Sequence, residues 1–234
     1  LRGKIADPRS RDSENTIDHK KFAGGSLTLT GANSASGLRS RPIRILLFDE
    51  VDSYPADVQG EGDVISLGRK RTTTFWNRKI ILTSTPTIKG LSRIERAYEE
   101  SDKRVYKVPC PECNQKQELK WQQITWLENK PETASLSCKH CGAIIPESKK
   151  QWMLLNGEWA AQAESKKVGF HISELYSPFR TWVELVQDFL EAKKSPELLQ
   201  TFINTTLGET WEEQGEEIEA EGLMSKCEQY NHEA

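Results

Sequence analysis

The sequence predicts an α/β fold with a mostly parallel sheet, present in part, and a zinc ribbon inserted after it. Two short apolar runs, residues 45–48 and 80–82, have the composition of parallel strands buried on both faces. A helical stretch over residues 64–76 lies between them, in the strand–helix–strand order of α/β proteins. Two CxxC pairs follow at 110–113 and 138–141, a pattern typical of a four-cysteine metal site.

Size and composition indicate a soluble globular protein. The chain has 234 residues, 36% of them hydrophobic, which is enough for a real core. No apolar stretch approaches the roughly 18 residues of a membrane span, so we expect no membrane partner. The net charge of −3 and the pI near 5.9 argue against a protein that coats nucleic acid through overall basicity. Because the chain opens with Leu1 and shows no signal segment, we expect it to be an internal piece of a longer protein.

The first part of the chain carries little periodic signal. Residues 1–25 are expected to be irregular or partly helical, residues 26–30 alternate like a strand, and a loop of small residues follows at 31–37. That loop is not a phosphate-cradling P-loop, because no Lys-Ser or Lys-Thr follows its glycine. No Walker A sequence occurs anywhere in the chain, so we expect that motif upstream of Leu1.

Two adjacent carboxylates, Asp49 and Glu50, end the first apolar run, as in a Walker B strand. Carboxylates at the carboxyl end of a parallel strand face the crevice in which such sheets bind ligands. Asp49 is predicted to hold the water shell of a nucleotide-bound Mg²⁺, and Glu50 to polarise the attacking water. The alternative is a core strand that simply ends in an acidic turn.

The second apolar run ends in three hydroxyls, Thr83, Ser84 and Thr85, followed by Pro86. Such a segment suits a sensor of the nucleotide's terminal phosphate, and the proline forces the chain to turn. Together the two strands favour an ATP-driven motor with a P-loop NTPase core of the RecA or ASCE kind. The basic residues beside the strands fit either a solvated surface or contact with phosphates of nucleotide or DNA; they are Arg39, Arg41, Arg44, Arg69, Lys70, Arg71, Arg78 and Lys79.

Further elements are predicted beyond the second strand. A helix is expected over 92–100 and a strand over 104–108. Thr181 and Glu184 form a capping box that begins a helix running to about Lys193. Ser195 and Pro196 supply the cap and first turn of the next helix, whose apolar face contains Leu198, Leu199, Phe202 and Ile203.

The cysteines favour a structural zinc bound by Cys110, Cys113, Cys138 and Cys141, with ribbon strands at 116–121 and 135–137. Disulfides and a redox pair are the alternatives. Four thiolates leave no open position for water, so the metal is expected to be structural. We expect His140 to be exposed rather than a ligand, Cys227 to be a free thiol, and His171 to be a half-buried strand histidine rather than a base.

The order and spacing of these motifs resemble those of the large terminase subunit of tailed bacteriophages, of the lambda GpA type. The resemblance covers residues 30 to 212 and rests also on the segments 31–39, 46–52, 60–63, 79–87, 175–178 and 202–209. It implies a packaging motor in which ATP hydrolysis moves double-stranded DNA into an empty procapsid through the portal. It further implies a small terminase subunit as partner, a homo-oligomer on the portal, and a place in the host cytoplasm.

The resemblance also implies roles for individual residues. Asp49 matches the Mg²⁺ ligand, Glu50 the catalytic carboxylate, and Thr83, Ser84 and Thr85 the segment that contacts ATP and couples hydrolysis to movement. Arg39 resembles an arginine that stabilises transition-state charge in a neighbouring subunit, and Arg41 is equally reachable. The implied cofactors are ATP, Mg²⁺ and Zn²⁺.

The predicted domain organisation has four parts. Residues 1–105 form the distal ATPase core, 106–150 the zinc ribbon, 151–210 the rest of the ATPase, and 211–234 an acidic linker toward a nuclease domain outside the chain. Without a Walker A loop, this stretch alone is expected to bind nucleotide poorly and to cleave nothing. A helicase or remodelling ATPase with a zinc module is the alternative, and a non-enzymatic ribbon that docks to DNA or a portal is the third hypothesis. The ribbon could serve only to staple an insertion, or Trp121 and Trp126 could form a binding surface.

Overall fold

The computed structural model describes residues 15–34, 37 and 42–212, and the chain divides after Ser84 into two compact units. Several predicted features lie outside the described residues: Arg39, Arg41, Cys227 and most of the acidic linker. No helix in the described part of the chain is both long and apolar enough to cross a membrane.

In the described part of the first unit, the first element is a β-hairpin of β1 (His19–Phe22) and β2 (Gly25–Thr28). The strands are antiparallel, with His19 opposite Thr28 and Phe22 opposite Gly25. The expectation of irregular structure to residue 25 is therefore wrong for the described part. A two-residue turn closes the hairpin at Gly24, whose φ of 87° lies in the left-handed region that glycine adopts without strain.

The core of the first unit is a parallel pair, β3 (Ile45–Phe48) and β4 (Lys79–Leu82), joined through α1 (Val64–Lys70). Phe48 lies opposite Leu82 in the parallel register. Helix α1 packs closely on β3, because a Cβ on Gly68 would lie only 2.6 Å from the ring of Phe48. The sequence predicts that both faces of this strand pair are buried, but among the described residues one helix covers only one face. The apolar side chains that stay exposed are Ile45, Leu47 and Ile81.

Helix α1 ends at Lys70 rather than at residue 76. The reason is the threonine run that follows it. The hydroxyl of Thr72 donates to the carbonyl of Arg69 at 2.8 Å, and that of Thr73 to the carbonyl of Lys70 at 2.9 Å. These side chains compete with helical amides for the same carbonyls, and β-branched residues lose rotamer freedom in a helix.

The second unit contains two small sheets that are mostly antiparallel. In the first, β5 (Arg104–Pro109) pairs antiparallel with β6 (Lys116–Glu118) and β10 (Glu158–Ala160), and parallel with β11 (Phe170–His171). In the second, β7 (Ile124–Leu127), β8 (Lys130–Ser137) and β9 (Ile144–Pro146) form an antiparallel meander. The mostly parallel sheet that the sequence predicts is thus limited, among the described residues, to β3 with β4 and β5 with β11. Short turns join the meander strands, and short turns permit only antiparallel neighbours.

Four α-helices are described in the second unit: α2 (Arg93–Glu99), α3 (Lys150–Leu155), α4 (Trp182–Ala192) and α5 (Pro196–Thr201). The capping box of Thr181 and Glu184 and the Ser195 cap are confirmed. A π-helix that the sequence analysis missed, Phe202–Leu207, continues α5 and ends at Gly208 with a φ of 67°.

One hydrophobic core unites the cysteine-rich region with α4. Trp182, Leu185 and Val186 of α4 are fully buried there, together with Leu136 of β8 and Val108 of β5. Trp121 packs against Phe189 and Phe202, at ring-centroid distances of 5.0 and 5.1 Å, and Trp126 packs against Phe189 at 6.0 Å. Both tryptophans are partly buried in this unit, so their packing role is structural.

Candidate functional site

The carboxyl ends of β3 and β4 bring Asp49 and Thr83 together. The hydroxyl of Thr83 donates to the Asp49 carboxylate at 2.6 Å. Backbone pairing continues past the strands, since the amide of Thr83 donates to Phe48 at 2.9 Å and the amide of Val51 to Thr83 at 3.2 Å. The parallel register therefore fixes the two side chains next to each other at the edge where such sheets bind ligands.

Glu50 has an unusual backbone conformation for a non-glycine residue. Its φ of 54° and ψ of 50° are left-handed, which costs roughly 1–2 kcal/mol for a residue with a Cβ. A short 3₁₀ helix, Val51–Ser53, follows directly, and the fully buried Val51 anchors it. A strained residue with an exposed carboxylate is a feature of functional sites, because packing alone gives no reason to retain a glutamate there.

Ser84 ties the second strand to this turn, because its Oγ accepts the amide of Asp52 at 3.2 Å. Tyr54 also lies beside the site, where burial and the Asp49 charge raise the pKa of its phenol. Of the sequence-predicted residues, Asp49, Glu50, Thr83 and Ser84 thus lie together in the first unit. Thr85 is exposed at the start of the second unit, and Arg39 lies outside the described residues.

The chemistry of this edge suits a hard cation. Carboxylate and hydroxyl oxygens are the ligands that Mg²⁺ prefers, and Mg²⁺ is usually held by only one or two carboxylates besides phosphates and water. The sequence contains no Walker A motif. Asp49, Glu50 and Thr83 therefore supply the groups that could hold a metal and orient a water, but not those that cradle the phosphates.

The second candidate site is the cluster of Cys110, Cys113, Cys138 and Cys141. Their sulfurs all lie within 4.8 Å of one another, with Cys110 to Cys141 at 3.9 Å and Cys113 to Cys138 at 3.8 Å. A tetrahedral centre with bonds of 2.3 Å places sulfurs about 3.8 Å apart. None of these four cysteines forms a disulfide in the structure.

The two CxxC pairs have matching backbones. The amide of Asn114 donates to the carbonyl of Cys110 at 2.9 Å, and that of Gly142 to the carbonyl of Cys138 at 2.9 Å. Asn114 and Gly142, each the residue after the second cysteine of its pair, have positive φ angles of 57° and 72°. Each turn also directs one amide at its first sulfur, at 3.4 Å in both cases. The cluster is therefore preformed by two equivalent turns.

The protonation of the sulfurs depends on these amides. Burial raises the pKa of the Cys138 thiol, but the backbone N–H groups of Cys141 and His140 outweigh burial and lower the pKa to about 7. Burial raises the pKa of Cys110. Because metals bind thiolates, this lowering of the pKa favours metal binding by Cys138 near neutral pH.

Two residues that support this region were missed from the sequence. The fully buried Gln117 accepts the amide of Lys139 and a side-chain N–H of Gln123, both at 3.0 Å, and so joins β6 to the second CxxC turn. The Tyr176 hydroxyl accepts the amide of Leu119 and donates to the carbonyl of Tyr106, both at 2.7 Å. The sequence gives little sign of either role. Gln117 is a polar residue in a stretch that alternates like a strand, and Tyr176 belongs to the segment 175–178.

Two histidines, His140 and His171, behave as the sequence predicts. His171 is half-buried in β11, with Nε2 3.2 Å from the carbonyl oxygen of Leu207 and 3.1 Å from that of Gly208. Both contacts are to backbone oxygens at the end of the π-helix, which is a structural role. His140 is exposed.

Comparison with known proteins identifies relatives for almost the whole chain. The family model of "Phage terminase large subunit gpA, ATPase domain" matches residues 1–159, and that of "Terminase large subunit gpA, endonuclease domain" matches residues 167–234. The chain is 38% identical over 245 residues to a terminase large subunit of Enterobacteria phage P21, and 31% identical over 247 residues to that of Escherichia phage lambda. Each alignment covers 93% of this chain and 38% of the relative, so the chain spans well under half the length of these relatives. No solved structure gives a significant match.

The boundary between the two matched models falls inside one hydrophobic core. Leu136 and Ile145 belong to the ATPase match, whereas Leu175 and Trp182 belong to the endonuclease match, and all four lie in the same core. The endonuclease match also includes residues 167–210, which the sequence analysis assigned to the ATPase. In the second unit the two matched regions are therefore packed as one body.

Proposed function

The chain belongs to the gpA family of phage terminase large subunits, and on this premise we propose that it forms part of an ATP-driven motor that moves double-stranded DNA into a procapsid. The observation that carries the proposal is the hydrogen bond of 2.6 Å between Thr83 and Asp49. It joins the predicted Mg²⁺ ligand to the predicted coupling segment at the carboxyl edge of two parallel strands. The same edge bears the strained Glu50.

Each residue of this edge has a proposed task. Asp49, oriented by Thr83, would hold the water shell of Mg²⁺, and the bound metal would supply positive charge to neutralise the phosphates of ATP. Glu50 accepts a hydrogen bond from the attacking water and orients it. The Ser84 hydroxyl accepts the Asp52 amide, so a movement of this turn on loss of the terminal phosphate would also move the end of β4.

The remaining nucleotide contacts are proposed to come from elsewhere. A Walker A loop upstream of Leu1 would cradle the phosphates, and Arg39 would stabilise charge in the site of a neighbouring subunit, with Arg41 as the alternative. The motor would then act as a homo-oligomer on the portal, in the host cytoplasm, with the small terminase subunit as partner. The family membership supports these assignments.

We further propose that Cys110, Cys113, Cys138 and Cys141 bind a structural zinc. The sulfur spacing and the two matching turns fit four-thiolate coordination, which leaves no position for a reactive water. Because Cys110 and Cys138 are buried in the core that also contains Trp182, the metal would stabilise the whole second unit rather than only a ribbon at 106–150.

DNA cleavage is proposed for the full-length parent protein. Among the described residues, the cysteine cluster is the one group of three or more potential metal ligands, so the cleaving centre is assigned outside them. On this proposal the described residues after 167 support the nuclease by packing.

The proposal is tested by packaging with the full-length parent protein, the small subunit, procapsids and linear duplex DNA. Protection of DNA from added nuclease should require both ATP and procapsids. ATP-dependent strand separation without protection would contradict it and favour the helicase alternative. A Glu50→Gln variant should give no protection, whereas Glu128→Gln, at an exposed turn in the second unit, should package normally.

A further inference from the structure

We propose that the amino-terminal edge of β3 and β4 is a contact surface for the phosphate backbone of duplex DNA. We call it the basic edge and define it by its five cations, Arg44, Arg69, Lys70, Arg78 and Lys79. The proposal rests on the proposed function for the presence of DNA, and it assigns the surface that touches it.

Backbone hydrogen bonds place these cations at one edge of the first unit. The amide of Lys79 donates to the carbonyl of Arg44 at 2.9 Å, which joins the starts of the two strands. The amide of Ile43 donates to the carbonyl of Arg71 at 2.9 Å, which joins the end of α1 to the same place. Residues that are far apart in the sequence are thus neighbours in space.

The charges of the basic edge are available for a ligand. Arg69, Lys70 and Arg78 are exposed, and none of the three forms an ion pair with a described residue. They surround an open recess of about 320 Å³, and no acidic side chain is among the described residues that line it. Favourable interaction with the carbonyl end of α1 accounts for Arg69 and Lys70, but not for Arg78 in the following loop or for Lys79 at the start of β4.

An exposed tryptophan lies in the same loop. Trp76 is 95% exposed, two residues before Arg78. Tryptophan is mostly buried in folded proteins, so a ring this exposed, close to Arg78 in the sequence, is available to a partner. Basic groups with an aromatic ring beside them are the combination with which proteins hold nucleic acids, since the cations contact phosphates and the ring packs against sugars and bases.

The distance along β3 decides between nucleotide and DNA as the source of the phosphates. Arg44 and Asp49 flank the strand at opposite ends, and five residues of extended chain span about 16 Å. A nucleotide whose Mg²⁺ is held at Asp49 cannot present its phosphates at that distance behind the strand. A polyanion that lies along the outside of the protein can, and duplex DNA is the polyanion that the proposed motor handles.

The test is DNA affinity of the full-length parent protein, measured by fluorescence anisotropy on a labelled 30-base-pair duplex over a series of salt concentrations. Each phosphate contact contributes about 0.9 to the slope of log K against log salt. The triple variant Arg69→Ala, Lys70→Ala, Arg78→Ala should therefore lower the slope by two to three and the affinity near 0.1 M salt by about two orders of magnitude. The charge-matched control Lys130→Ala, Lys166→Ala, Lys193→Ala, on exposed residues of the second unit, should keep the native slope.

A slope equal to that of the native protein would overturn the proposal, and so would a loss of ATP affinity with unchanged DNA affinity, which would assign the cations to a nucleotide. If the triple variant melts at a lower temperature, Arg69→Ala and Arg78→Ala are measured singly, each with an expected loss of about one in slope. Trp76→Phe adds an independent readout: DNA should quench the native emission more than that of the variant, and equal quenching would contradict the assignment. If the native protein hydrolyses no ATP, the motor proposal fails. The salt dependence of DNA affinity still tests whether the basic edge binds DNA.

Discussion

Replacement of Tyr176 by phenylalanine tests how the second unit is held together. The change removes one oxygen and leaves the ring in place. It deprives the buried amide of Leu119 of its acceptor and the partly buried carbonyl of Tyr106 of its donor, both at 2.7 Å. A buried polar group left without a partner costs about 1–3 kcal/mol, and the partly buried carbonyl of Tyr106 lies at the lower end of that range, so the two groups together cost roughly 2–4 kcal/mol.

The assay is hydrogen–deuterium exchange of the full-length parent protein, followed in peptides that cover β5 and β6. Since about 1.4 kcal/mol is a factor of ten, exchange of the Leu119 amide should accelerate by a factor of roughly 30 to 1,000. Tyr98→Phe is the matched control, because the Tyr98 side chain is partly buried and its hydroxyl has no hydrogen-bond partner among the described residues. Exchange of β5 and β6 that differs less than about threefold from the native protein would refute the reasoning.

Three further predictions concern stability. Removal of metal by a chelator, or Cys138→Ser, should abolish the near-ultraviolet circular dichroism of the buried Trp182. The reason is that a structural zinc contributes about 10–16 kcal/mol, as much as the whole stability of a domain. An unchanged spectrum would show that the metal stabilises only the ribbon. Gly68→Ala should lower the free energy of unfolding by about 1–3 kcal/mol, since its Cβ would lie 2.6 Å from Phe48, whereas Ser66→Ala on the exposed side of α1 should melt like the native protein. The side-chain hydrogen bond from Arg104 keeps the pKa of Asp102 below its ordinary value of 3.8, so the ionised Asp102 stabilises the fold fully above that pH, and this contribution is lost as the pH falls through the lowered pKa. Asp102→Asn should therefore make the free energy of unfolding depend less on pH in that window. A pH dependence equal to that of the native protein would count against this role.

Local signals predicted the elements that local chemistry determines. The capping box of Thr181 and Glu184 and the Ser195 cap are local side-chain-to-backbone hydrogen bonds, and both are observed. The apolar runs of β3 and β4 are short and bounded by polar residues, and their parallel pairing is observed as well. The residues of each cap are close in the sequence, and the pattern of the two apolar runs permits few alternative pairings.

The features that were missed depend on contacts between distant residues. Tyr176 bonds to residues 57 and 70 positions away, and no pattern around it indicates which backbone groups it will meet. The left-handed Glu50 cannot be inferred from composition, because glutamate seldom adopts that conformation and the buried Val51 beside it enforces the turn. The early end of α1 could have been predicted, since three successive threonines after Arg71 are poor helix formers.

The candidate metal cluster was predictable from spacing alone, but its role in the fold was not. Two CxxC pairs indicate a ribbon whose core is its own, and the sequence analysis therefore separated 106–150 from the helices that follow. In the structure the sulfurs of Cys110 and Cys138 belong to a core that includes Leu185 and Val186 of α4. A hydrophobic helix face in a sequence predicts that this face will be buried, but it does not identify the residues that pack against it.

The central claim, that the edge formed by Asp49, Glu50 and Thr83 drives ATP hydrolysis, is tested most directly by DNA-stimulated turnover of the full-length parent protein with Glu50→Gln. The substitution keeps the size and removes the charge that orients the water. Turnover should fall by at least about a hundredfold while Mg²⁺·ATP still binds, with Glu128→Gln unaffected. Turnover equal to that of the native protein would show that this edge is only the end of a strand and that hydrolysis occurs elsewhere.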